Sequence, residues 1–228
     1  MNNQARQHPQ HHPRHHPQED LLLSHATCHE HPAVGLLMAT HARLCAECRE
    51  AIDDLEVIGS AFLDGEEEMP VSACARERTL AAIAGSRGTR PPVAAASGAA
   101  ESGRAELAAK VDFVLSLRQS REKGKWHWRA PGVREVRMPL QWNGIPVTVA
   151  QLRSGLHIPQ HTHKGRELTL ILCGSLTDDR ATYAAGDVLD YDSSVSHEQF
   201  VGSEEDCLCL VVNESRLVPQ TMLGRALA

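Results

Sequence analysis

A chain of 228 residues allows one or two domains, and 42% hydrophobic with 23% charged residues makes part of it globular. Aromatic residues are only 4%, so the core must be built from aliphatic side chains. The formal charge of −6 argues against a broad basic surface for nucleic acid, and no apolar run is long enough to span a membrane.

Residues 1–15 read as a disordered tail: Pro, Gln and His dominate, and little apolar surface is available to bury. His8, His11, His12, His15 and His16 crowd into one short polar tract that runs to the edge of this tail. It lacks the apolar stretch of a secretion signal, so a cytoplasmic location is expected. The seven cysteines form no regular disulfide framework, and in a reducing compartment clustered cysteines point to metal or redox chemistry.

Residues 16–84 are expected to be a small helical domain. Leu21–Leu23 open a first helix, and Leu36, Leu37 and Met38 mark a second over about 33–43. Ile52, Leu55, Ile58 and Phe62 keep three- and four-residue spacing in a third over about 45–63. Gly65 and Pro70 bracket a break, and Ser72 is placed to cap a fourth helix holding Leu80 and Ile83. Residues 85–104 have the composition of a flexible linker, roughly 25 Å end to end. A short helical or extended piece follows over 105–117.

From Val133 onward short runs of Val, Ile, Leu and Thr alternate with Gly, Asn, Asp and Ser, the pattern of an all-β sandwich or barrel. The C-terminal domain is therefore assigned to 105–228, with its barrel over about 130–213. The run RELTLIL (166–172) is apolar on both strand faces, compatible with a sandwich core or a homo-oligomer.

Two clusters carry chemistry. In the β region His161 and His163 are two apart, so a strand turns both imidazoles to one face. Glu167 follows after a turn at Gly165, and His197 lies on a later strand beyond Gly186. Three imidazoles and a carboxylate suit a divalent transition metal. The bland alternative is a chance surface pair. His157 lies outside this pattern and reads as a loop residue, and Trp126 and Trp128 read as packing at the barrel entrance.

In the helical region His41, Cys45 and Cys48 recur at four- and three-residue spacing, so one imidazole and two thiolates share a face and can converge on zinc. The alternative is a buried or redox-active thiol pair. Zinc would support a domain too small to bury much surface, contributing on the order of 10–16 kcal/mol. Residues 16–84 carry thirteen carboxylates against four arginines, a net of −9 that would attract a basic protein and repel DNA.

The run from Gly155 to Gly174, with HxH, Glu and both glycines in place, resembles the first motif of the cupin family. The second motif is looser: Gly186 and His197 stand at the expected separation, while Asp192, Ser194 and Val201 replace the usual Pro, Gly and Asn. HxxxCxxC between helices resembles the zinc-binding anti-sigma domain, where a fourth ligand, also His, precedes the first helix. His16 fits that place best, with His15, His25, His29, His31 and Cys28 as competitors. Together the two domains resemble ChrR-type anti-sigma factors over about 14–213.

The resemblance implies a helical domain that sequesters a sigma factor of the extracytoplasmic-function type. It also implies a cupin that releases the sigma factor on photooxidative stress such as singlet oxygen. The expected cofactors are zinc in the helical domain, on His16, His41, Cys45 and Cys48, and zinc or another divalent metal in the cupin, on His161, His163, Glu167 and His197. No catalytic residue is expected. The competing reading is a cupin metalloenzyme such as a dioxygenase, with the helices as an accessory; HxxxCxxC in an acidic helical unit favours regulation. Cys207 and Cys209 face the same way on one strand, as oxidisable thiols or as small buried hydrophobes.

Overall fold

The computed structural model describes residues 12–66, 72–85 and 95–219. Most of the expected tail, the acidic break and part of the expected linker lie outside these residues.

Among the described residues four N-terminal helices form: α1 (Glu19–Ala26), α2 (Pro32–Ala42), α3 (Ala46–Asp64) and α4 (Ala75–Gly85). Local chemistry sets the starts of two. Pro32 occupies the first turn of α2, where its missing N–H loses nothing, and the His31 ring accepts from the Ala33 amide. Cys45 caps α3, its Sγ accepting from the Cys48 amide at 3.4 Å. Helix α2 is apolar on almost every side, with Ala33 through Met38, Thr40 and His41 all buried. Such a helix must be covered all round.

What covers it lies partly in the C-terminal half. Among the described residues the eleven strands are β1 (His127–Ala130), β2 (Val133–Trp142), β3 (Ile145–Leu152), β4 (His157–His163), β5 (Glu167–Cys173), β6 (Ser175–Thr177), β7 (Thr182–Ala184), β8 (Val188–Tyr191), β9 (Ser196–Val201), β10 (Cys207–Asn213) and β11 (Leu217–Pro219). They build two antiparallel sheets, ordered β1-β2-β3-β10-β5-β8 and β11-β4-β9-β6-β7. Gly174, between β5 and β6, has φ +75°, and a Cβ there would meet the Asp206 carbonyl at 2.8 Å, so this turn requires glycine.

The six-stranded sheet has two apolar faces. On one, Ile171, Leu189, Tyr191, Cys207 and Cys209 form the barrel interior. On the other, Val136, Val149, Leu168, Leu170, Leu172, Leu208 and Leu210 join Leu36, Leu37 and Met38 of α2 in a single core. Val111, Val114 and Leu117 of a fifth helix, α5 (Ala95–Gln119), enter the same core at three-residue spacing. The two-faced run 166–172 is thereby explained within one chain. Its outward leucines are covered by α2 and α5, each burial stabilising by about 1.5–3 kcal/mol.

Several expectations are corrected. Residues 95–104 belong to α5, where Ala-rich sequence extends a helix whose later turns are anchored. Residues 12–15 do not trail as a tail: the Val188 amide donates to the His15 carbonyl at 2.9 Å, against the edge strand β8. Strands run over 127–219, wider than 130–213. Trp126 packs against the mixed core beneath Arg134, but Trp128 is 75% exposed. His157 opens β4, stacked on Phe200 and paired with Glu198 at 3.0 Å.

Candidate metal centres

In the barrel, β4 carries His161 and His163 with one residue between them, so both point inward. Ladder register sets His197 of β9 opposite His161. Glu167 opens β5, and all four side chains are buried. His197 Nε2 lies 2.8 Å from His161 Nε2 and 3.4 Å from His163 Nε2, and Glu167 Oε2 lies 3.2 Å from His163 Nε2.

The proton placement bears on what this cluster can do. His161 Nδ1 donates to the Pro159 carbonyl at 2.9 Å, which leaves a lone pair on its Nε2. Burial pushes the His163 imidazole down to about 4 and His197 to about 3, with the charge of neighbouring His161 adding to it. The Nδ1 atoms of His163 and His197 are buried without a partner among the described residues, and the Nε2 atoms of all three rings converge with the Glu167 carboxylate as a set of donors for one cation. Burial also raises the Glu167 carboxyl to about 7, opposed by a hydrogen bond from Asn213. A divalent cation fits these donors and would hold Glu167 ionised.

The second cluster joins three segments. His41 ends α2 and is fully buried, Cys45 and Cys48 begin α3, and His16 comes from the stretch before α1. His16 Nδ1 is 3.5 Å from Cys45 Sγ and 3.3 Å from Cys48 Sγ. His41 Nδ1 donates to the Gly186 carbonyl at 2.9 Å, and its buried Nε2 has no partner among the described residues. Burial lowers His41 to about 4 and, with Cys45 beside it, raises the Cys48 thiol to about 12. An orphaned imidazole nitrogen beside two thiols and a second imidazole is the donor set of a closed zinc site.

All eight candidate ligands are brought together, four by four, each set with its donor atoms within 4.8 Å of one another. The competitors of His16 are engaged elsewhere. His15 packs on the Tyr183 ring, His25 pairs with Glu30 at 2.9 Å, and His29 bonds the Thr27 carbonyl. His31 stacks on Trp142, and Cys28 is exposed at φ +54°. Cys207 and Cys209 are core residues, 0% and 1% exposed. The hydrogen bond with Cys209, together with burial, pushes the Cys207 thiol well above its ordinary range, so Cys207 is held as a thiol.

The structure adds residues that spacing could not supply. Asp187 Oδ1 accepts from the Arg14 and His15 amides at 2.6 and 3.1 Å, fixing the segment that presents His16. Gly186, at φ +98°, lies so close to Pro13 that a Cβ would meet its ring at 2.7 Å. The Tyr191 ring lies 4.0 Å from that of His197 and its hydroxyl donates to Asp178. Arg166 clasps Asp190 and reaches Asp20 of α1 at 2.9 Å, beside Glu167. Of these, the sequence pattern marked only Gly186; the N-terminal partners of Gly186 and Asp187 are more than 140 residues away in sequence.

Known proteins resemble this arrangement. Residues 117–216 match the family model described as the ChrR cupin-like domain. The anti-sigma-E factor ChrR of Cereibacter sphaeroides is 29% identical over 199 residues, covering 86% of this chain and 88% of that one. A chain in the crystal structure of Rhodobacter sphaeroides SigE in complex with the anti-sigma ChrR superposes with a TM-score of 0.66 at 26% identity, covering 88% of this chain and 98% of that one.

Proposed function

We infer that this chain is a ChrR-type anti-sigma factor, a regulatory protein rather than an enzyme, in which the helical domain holds a sigma factor and the cupin governs its release. The observation that carries this reading is the exposed half of α3. The helix has 19 residues and spans about 28 Å. Its first turns pack Cys48 and Ile52 into the domain, while Val57, Ile58, Phe62 and Leu63 are 54–74% exposed. Four large apolar side chains on one projecting helix, flanked by Asp53, Asp54, Glu56 and Asp64, suit a protein partner with an apolar groove and a basic rim. A sigma factor, as a DNA-binding protein with a basic face, has this chemistry, and we assign it to the extracytoplasmic-function type.

Zinc is proposed for His16, His41, Cys45 and Cys48, where it would tie the segment before α1 to α2 and α3. Zinc or another divalent metal is proposed for His161, His163, Glu167 and His197. We assign the signal, photooxidative stress such as singlet oxygen, to the cupin. Its effect would reach the helical domain through the shared core and the Arg166–Asp20 and His41–Gly186 contacts. The chain is proposed to act in the cytoplasm; among the described residues no helix is long and apolar enough to cross a membrane.

The test is co-expression with a sigma factor of the extracytoplasmic-function type, followed by size-exclusion chromatography and metal analysis. A 1:1 complex whose anti-sigma chain carries two metal ions is expected. A chain that binds no sigma factor and holds metal only in the barrel would move the reading to a cupin metalloenzyme.

A further inference from the structure

Beside His161 and Glu167 of the barrel cluster lies a cavity of about 400 Å³, within the size range of small-molecule sites. Val133, Leu152, Leu156, Ile158, Leu176 and Val211 give it apolar walls, and His161 and Glu167 stand at one end. Two side chains lining it are incompletely paired. Gln199 is 5% exposed and its Nε2, a donor, has no partner among the described residues. Asn213 Oδ1, an acceptor, is likewise buried without one. A buried amide atom left unpaired is destabilising, so both point to a guest that supplies one acceptor and one donor. Arg129, Arg137 and Arg216 also line the cavity, against Glu135 and Glu167, so with a divalent cation on the barrel donors it is positive.

We propose that this cavity is a binding site for a small α-hydroxycarboxylate with an aliphatic body. The carboxylate turns toward the His161 and Glu167 end, where the cation is held, and accepts from Gln199 Nε2. The neighbouring hydroxyl donates to Asn213 Oδ1. The aliphatic body lies along Leu152, Leu156, Ile158 and Val211. A cation and an amide donor select an anion, the unpaired acceptor selects a hydroxyl beside it, and the walls select against a small polar acid. The proposal rests on metal occupancy of the barrel site and goes beyond the sigma-factor reading.

The experiment is calorimetric titration of the zinc-loaded full chain with α-hydroxyhexanoate, hexanoate and hexylamine, metal content being measured before each run. Saturable 1:1 binding of α-hydroxyhexanoate is expected, with hexanoate weaker by up to roughly tenfold, the contribution of one hydrogen bond, and no binding of hexylamine. Gln199→Leu, with its metal retained, should weaken α-hydroxyhexanoate by roughly tenfold or more. Ala150→Phe fills the cavity from its wall without touching a donor and should abolish binding. No saturable binding to the metal-loaded chain overturns the proposal, as does hexylamine binding as tightly as the acid, or full affinity in Ala150→Phe. Sigma-factor capture is read by a separate co-purification, so failure of either leaves the other standing.

Discussion

His41 and Gly186 lie in different domains, yet the imidazole Nδ1–H of the first donates to the carbonyl oxygen of the second at 2.9 Å. The hydrogen bond leaves His41 Nε2 as the free lone pair that a metal requires. The supporting shell of the helical site is therefore built partly by the cupin. Asp187, next in sequence, is 1% exposed and its carboxylate serves three amides: those of Arg14, His15 and Ala184.

Asp187→Ala should accordingly loosen the helical site without touching a ligand. Zinc affinity there is expected to fall by roughly 10- to 100-fold, the range for loss of an outer-shell partner. Competition with a chromophoric chelator reads this directly. Unchanged affinity would remove the 186–187 turn from the shell of that site.

Phe62 is 73% exposed, so Phe62→Glu should change the stability of the isolated chain by no more than about 0.5 kcal/mol. Its effect on sigma-factor binding should be far larger, about 2 kcal/mol or more, if the projecting half of α3 is the contact. Thermal denaturation and a titration of the complex separate the two quantities. Equal affinity of the variant would place the partner on another face.

Leu170 is fully buried on the outward face of β5, in the core shared with α2 and α5. Leu170→Ala should destabilise the chain by about 2–5 kcal/mol. It should also raise amide exchange in α2 ahead of global unfolding, because it removes packing between the domains. Exchange that accelerates only in the barrel would show that the helices hold without this face.

Cys48→Ser and His163→Ala should fail in opposite ways. The first removes a thiol of the helical set and should lose both zinc and sigma-factor binding. The second should retain binding and lose the stress response, read as release of the partner after illumination with a photosensitiser. A Cys48→Ser chain that binds its partner at full strength without zinc would contradict a structural role for that metal.

Much of the candidate site could be read from the sequence because its spacing is local. HxH on a strand and HxxxCxxC at a helix start place donors by backbone periodicity alone, and Gly174 is required by its turn. His197 reaches its cluster through sheet register, and His16, which needed family resemblance, through domain docking. What stayed hidden was the relation between the halves. Ala-rich, Gly-containing sequence over 95–104 looks like a linker because its helix is fixed by Val111, Val114 and Leu117 further along. The leucines of β5 gave two-faced apolarity, and periodicity could not say whether a second copy or the chain's own helices covered them. The partners of Asp187 are set by the docked arrangement, to which no local rule applies.

Strand β8 is four residues long, on the order of 13 Å. At its start Val188 bonds His15, beside the helical cluster; at its end Tyr191 lies on His197 of the barrel cluster. If a partner bound at the helical cluster shifts the barrel's affinity for its ion through this strand, the ion must shift the partner's affinity by the same factor. Metal affinity in the barrel would then serve as a gauge of what the helical domain holds: the complex and the free chain should differ in how readily the barrel yields its ion.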